Sequence, residues 1–134
     1  MIYAVIDAID EGLLAAAHDI SNGGLAATVM EMALARPARF GFELNLDCVP
    51  SGDLGMRTDK LLFSESSGFI LEAKPGKEAR LEELLRSHNL EPMHIGQVTS
   101  KRRIKMSRSG ETVADLDLDE AKAAWTTGLV EAMR

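Results

Sequence analysis

Histidine, aspartate, serine, asparagine and two glycines stand in one run, His18-Asp19-Ile20-Ser21-Asn22-Gly23-Gly24, and a helix-compatible stretch starts at Leu25. These residue types suit anion binding. The side-chain oxygen of Ser21 or Asn22 can accept a hydrogen bond from a helix N–H. Gly23 and Gly24 allow a tight turn and a close backbone approach. A helix N-terminus adds unpaired donors and a partial positive charge, which favour a phosphate or carboxylate. A capped turn between two elements uses the same residues, so both readings stand. His18 beside Asp19 offers a general base with an orienting carboxylate. Strand alternation, however, sends adjacent side chains to opposite faces, so the two are not a ready-made pair. A second polar run, Ser64-Glu65-Ser66-Ser67-Gly68, suits a ribose, a metal-bridged phosphate or a plain turn.

Other chemistry lacks its residues. There is no glycine-x-serine-x-glycine elbow and no phosphate-binding lysine motif. His18, His88, His94 and Cys48 do not fall at zinc spacings, so no metal site and no catalytic residue is assigned. His88 belongs to the apolar stripe of a helix end and His94 alternates with Met93 and Ile95, which gives structural and solvated roles respectively.

The elements that must hold these clusters follow from periodicity. Ile2, Val5, Ile6, Ile9 and Leu13 recur at helical spacing, with Asp7, Asp10 and Glu11 opposite, which predicts a helix over 2–14. An extended piece through Ala17 and Ile20 leads into the glycine turn. A helix over 24–35 carries Leu25, Val29 and Met32 on one face and stops at Pro37. Phe42, Leu44 and Leu46 alternate as a half-buried strand. Residues 50–56 read as a loop, and 60–65 is too short to assign by period. A strand over 69–73 closes at Pro75-Gly76, and a helix over 77–88 aligns Leu81, Leu84, Leu85 and His88. Strands at 93–98, 103–107 and 112–116 follow, with Ser109-Gly110 as a hairpin turn. Asp117 or Asp119 caps a last helix carrying Ala121, Trp125 and Leu129. The last three strands are close enough to be antiparallel neighbours. Interspersed elements predict an α+β fold, a mixed β-sheet with packed helices, as one domain over 1–134. Leu25, Val29, Met32, Phe42, Leu44, Leu71, Leu81, Leu84 and Leu85 form the expected core.

Composition narrows the class. With 46% hydrophobic residues in 134, the chain can bury a core and is not a disordered segment. Four Phe, one Tyr and one Trp are too few for a base-stacking platform. A net charge of −6 disfavours a phosphate backbone as partner, so nucleic acid is not expected. The basic run Lys101-Arg102-Arg103, with Lys105 and Arg108, reads as a solvated strand face. The lone Cys48 suits a reducing cytoplasm, and no apolar run reaches membrane length. The acidic N-terminus lacks the basic region of a signal peptide.

Three ordered segments resemble one family. His18-Asp19-Ile20-Ser21-Asn22-Gly23-Gly24-Leu25-Ala26 with Glu31-Met32-Ala33, then Leu62-Phe63-Ser64-Glu65-Ser66-Ser67-Gly68, then Ile95-Gly96-Gln97-Val98, are similar to the signatures of the formylglycinamidine ribonucleotide synthetase large subunit. The lead-in Ile6-Asp7-Ala8-Ile9-Asp10-Glu11-Gly12-Leu13-Leu14 resembles that family's preceding helix. The wider superfamily includes aminoimidazole ribonucleotide synthetase, selenophosphate synthetase, thiamine phosphate kinase and a hydrogenase maturation factor. The resemblance implies the final C-terminal domain of a duplicated enzyme, without the N-terminal ATP-binding domain. It implies an ATP-dependent carbon–nitrogen ligase of purine synthesis. In that family ATP phosphorylates an amide oxygen of the substrate, and glutamine-derived ammonia displaces the phosphate. ATP and magnesium are cofactors of the complete enzyme, none is required by this piece, and the isolated chain is expected to be inactive. Partners so implied are the ATP-binding domain of the same protein and the glutaminase and small accessory subunits; a homodimer is left open. His18, Asp19, Ser21, Gly23, Gly24, Glu65 and Ser66 become candidate phosphate or substrate contacts. Phe69 departs from the family, which usually has Arg after the glycine, so one basic contact is in doubt. A free-standing adaptor or ligand-binding domain and a hydrogenase-maturation or selenophosphate relative are the alternatives.

Overall fold

A computed structural model describes residues 1–35, 40–52 and 55–133, apart from side chains 129–132. The elements run α1 (Ile2–Asp10), β1 (Leu14–Asp19), α2 (Gly24–Leu34), β2 (Gly41–Asn45), a 3-10 turn (Leu46–Cys48), α3 (Thr58–Phe63), β3 (Phe69–Ala73), α4 (Glu78–Ser87), β4 (Gly96–Thr99), β5 (Arg103–Arg108), β6 (Glu111–Asp117) and α5 (Leu118–Ala132). This is the expected α+β class with a mixed sheet. The segment too short to assign by period is α3. The predicted stop at Pro37 and the side chain of Leu129 lie outside the described residues. Backbone packing groups the chain into two compact units, 1–28 with 62–93 and 29–61 with 94–134.

In the first unit β1 and β3 form an antiparallel ribbon, with Leu14 opposite Ala73 and Asp19 opposite Phe69. Helices α1 and α4 build its core through Ala4, Ala8, Leu13, Leu81, Leu84 and Leu85, with Leu14, Leu71, Ala73 and Leu90 packed against it. The α4 stripe is buried as its spacing predicts. The expected α1 stripe is split, with Val5 and Leu13 buried and its three isoleucines outside. Ala4, Val5 and Ala8 face inward, while Ile2, Ile6 and Ile9 are 60%, 44% and 56% exposed. The helix also ends at Asp10, so Leu13 enters the core from the turn before β1. His88 caps α4 and ties the helices together, its Nε2 lying 2.8 Å from Asp7 Oδ2. Arg80 of α4 holds Glu11 through two hydrogen bonds of 2.9 Å, which raise its already high pKa.

In the second unit the sheet order is β4-β2-β5-β6. β5 and β6 form the expected hairpin around Ser109-Gly110, both at positive φ. β4 does not join β5, however. β2 lies between them, antiparallel to β4 and parallel to β5. The short 100–102 link therefore passes over the start of β2, where the Gly41 N–H donates to the Lys101 carbonyl at 2.8 Å. A Cβ on Gly41 would sit 1.9 Å from the Arg103 carbonyl oxygen, so a residue without a side chain permits the crossing. Phe42, Leu44, Ile104 and Met106 alternate onto the buried face. Asp117 caps α5, its Oδ1 accepting from the N–H groups of Asp119 at 2.9 Å and Glu120 at 3.2 Å. Of the expected core residues, Met32 and Leu71 are half-buried and the other seven are buried.

The basic run has acidic or polar company. Lys101 meets Glu43 at 3.5 Å, Arg102 meets Asp119, and Arg103 meets Asp115 at 2.7 Å, a contact that raises the arginine's pKa. Arg108 instead turns inward, donating to Thr58 Oγ1 at 2.9 Å and the Met56 carbonyl at 2.7 Å. It anchors the segment entering α3 rather than standing with the solvated charges.

Candidate functional site

Strand pairing brings the two polar clusters together. β1 runs out into the glycine turn and β3 begins just after Gly68, so an antiparallel ribbon puts both at one end. The pairing continues one step past the strands, where the Ile20 N–H donates to the Gly68 carbonyl at 2.9 Å. His18, Asp19, Ser21, Gly23, Gly24, Glu65 and Ser66 therefore share one neighbourhood within the first unit.

The turn itself is built by its glycines. Gly23 and Gly24 have φ of +82° and +66°, in the left-handed region that disfavours a Cβ. A Cβ on Gly24 would lie 2.6 Å from the Ser64 carbonyl oxygen and 2.8 Å from that of Leu62. The close approach that the glycines allow is thus made by the second cluster's own backbone. The turn's donors are also engaged. The Gly24 N–H donates to the Ser21 carbonyl at 3.0 Å, and the Gly23 N–H donates to Glu65 Oε1 at 3.1 Å. The sequence points to donors open for an external anion; in the fold, a carboxylate 42 residues further on takes the Gly23 donor. The chemistry is that expected of a helix N-terminus, with Glu65 as the anion.

Around this contact, Ser64 Oγ and Ser66 Oγ lie 2.9 Å apart, and Ser21 and Ser66 are exposed. His18 is half-buried. Its Nδ1 sits 2.7 Å from the Asp19 carbonyl oxygen and 3.6 Å from Asp19 Oδ1. The ring turns back along the chain, so Asp19 accompanies it despite strand alternation. Ala17, His18, Asp19 and Phe69 line an open depression on the ribbon. Phe69, at the position where the resemblance implies Arg, gives that depression an aromatic wall.

Thr28 is a site residue that the sequence reading missed. It is 1% exposed, and its Oγ1 lies 3.0 Å from the Gly24 carbonyl and 3.3 Å from the Asp19 carbonyl. One hydroxyl thus joins the end of β1 to the first turn of α2. The available signal was a hydroxyl four residues after a helix-opening glycine, where back-bonding to the i−4 carbonyl is common. Among the described residues no group of three or more His, Cys, Asp or Glu side chains converges as a metal site. No described helix is long and apolar enough to cross a membrane.

Residues 1–109 match the family described as AIR synthase related protein, C-terminal domain. The chain is 47% identical over 135 residues to phosphoribosylformylglycinamidine synthase subunit PurL of Methanothrix thermoacetophila, covering all of this chain and 16% of that protein. It is 37% identical over 117 residues to the subunit of the same name from Deinococcus radiodurans, covering 87% of this chain and 15% of that one. The chain thus spans about a sixth of the length of these relatives. Its fold matches that of T. maritima PurL complexed with FGAR, with a TM-score of 0.77, 24% identity, and coverage of 90% of this chain and 20% of that one. Two of the three signatures meet at one end of the β1–β3 ribbon, and with a family match over residues 1–109 the conclusion is plain: the chain belongs to the AIR synthase related C-terminal domain family.

Proposed function

We propose that this chain serves as the C-terminal α+β domain of a phosphoribosylformylglycinamidine synthase subunit. In that role it acts in the ATP- and glutamine-dependent conversion of formylglycinamide ribonucleotide to formylglycinamidine ribonucleotide, a step of purine biosynthesis in the cytoplasm. The observation that carries this reading is the 47% identity running the full length of the chain to the Methanothrix subunit. The solved relatives include T. maritima PurL complexed with ATP and the structure of PurLQS, which support ATP as cofactor and an assembly with glutaminase and small accessory subunits.

Within the subunit, nucleotide phosphates and magnesium belong to the ATP-binding domain rather than to the glycine turn. Glu65 already takes the Gly23 N–H, and an incoming anion would have to displace it. The exposed Ser21 and Ser66, with His18 and Asp19 beside the Phe69 wall, offer polar contacts to a bound substrate. Gly23, Gly24 and Glu65 hold the turn that positions them.

The test replaces the matching segment of the Methanothrix subunit with this chain. The chimera is expected to form the amidine product with its partner subunits, ATP and glutamine, whereas the chain alone forms none. A folded chimera that is silent beside an active parent overturns the reading, as does turnover by the purified chain with contaminating enzyme excluded.

A further inference from the structure

The isoleucine face of α1 has a helical period and no cover. Ile2, Ile6 and Ile9 lie at i, i+4 and i+7 on one side of the helix, and Tyr3, 74% exposed, flanks Ile6. Large apolar side chains contiguous on one element mark an interaction surface. Its inner side is already committed, because Ala4 and Ala8 are fully buried in the core with α4. Two ion pairs in its C-terminal half, Asp7 with His88 and Glu11 with Arg80, hold the helix in that orientation. The isoleucines therefore cannot turn inward without breaking the α1–α4 packing.

We propose that this face seats a neighbouring domain of the same polypeptide in the complete synthase subunit, an inference that rests on the proposed function. A stable contact between separate chains takes about 20–30 residues a side. Three isoleucines and a tyrosine on a nine-residue helix fall far short of that, which argues against a second copy held by this face. A covalent tether removes the shortfall, because a linked domain meets its surface at high effective concentration. The relatives supply such a tether, since the matched segment is 16% of the Methanothrix polypeptide. The covering surface is apolar at its centre, with a cation opposite Asp10 at the edge of the stripe.

Thiol labelling tests this in a Cys48→Ser background. Ile6→Cys on α1 and Glu83→Cys on the exposed side of α4 are alkylated in this chain and in the Methanothrix chimera. Alkylation at position 6 is expected to slow by roughly tenfold or more in the chimera, as for a group reached through local opening, with position 83 unchanged. Equal rates at position 6 in both proteins overturn the proposal. An active chimera with fast labelling at position 6 removes the docking face and leaves the proposed function standing. An inactive chimera with slow labelling does the reverse. Sedimentation of the chain alone is expected to give a monomer; a dimer that Ile6→Asp dissociates assigns the face to a second copy and overturns the proposal.

Discussion

Helices α1 and α4 carry apolar residues at the same helical spacing and lie against each other, yet their stripes have opposite fates. Leu81, Leu84 and Leu85 of α4 are 6%, 4% and 8% exposed, whereas Ile2, Ile6 and Ile9 of α1 face solvent. The difference lies in what else each helix offers. The other face of α4 is charged, with Glu82, Glu83 and Arg86, so its leucines are the one side that can be buried. Helix α1 is apolar on two sides. Its alanine side admits the leucines of α4 at close range, and the bulky isoleucines are left outward. Helical spacing of apolar residues therefore says which sides can be buried, while packing decides which of them goes in.

Substitutions can break or sharpen this contrast. The largest effect is expected from Leu84→Ala, which should cost about 2–5 kcal/mol in the isolated chain by denaturant unfolding. The paired substitution Ile6→Ala should stay within about 0.5 kcal/mol. Equal costs would mean that the isoleucine face is covered after all. Next comes Ala8→Leu, which forces a large side chain into the α1–α4 contact and should cost about 1–3 kcal/mol by the same measurement. A neutral Ala8→Leu would remove close approach as the reason for the helix's orientation. A smaller term is the Asp7–His88 pair, where a double-mutant cycle should give a coupling of about 0–1 kcal/mol at a pH that keeps the imidazole charged. Coupling well above that would make the ion pair, rather than the alanines, the device that orients α1. The smallest change is expected from Arg80→Met. Its bonds to Glu11 are at the surface, so the melting temperature should move less than for His88→Ala, and less again in high salt.

The polar site divides in the same manner. His18, Gly23, Gly24 and the 64–68 cluster are visible as residue types that turn, cap and bind. That the two clusters meet follows from β1–β3 pairing, which sets Asp19 opposite Phe69 although α2, β2 and α3 intervene in sequence. Glu65 on the Gly23 N–H was not legible in the sequence, because nothing local to Gly23 announces a carboxylate reaching it from the segment before β3. The same holds for Arg108. In sequence it belongs to a basic run, and Thr58 and Met56 claim it once β5 is placed.

Local sequence determined most element types and nearly all of α4, the β5–β6 hairpin and the Asp117 cap, since turn chemistry, capping and a single apolar stripe act within a few residues. It also determined the family, because three ordered signatures are a property of the chain itself. Tertiary structure alone decided the insertion of β2 between β4 and β5, the seat of Glu65 on the glycine turn and the side of α1 that is buried. Each of these depends on groups distant in sequence competing for the same space or the same hydrogen bond, and a local pattern does not record which competitor wins.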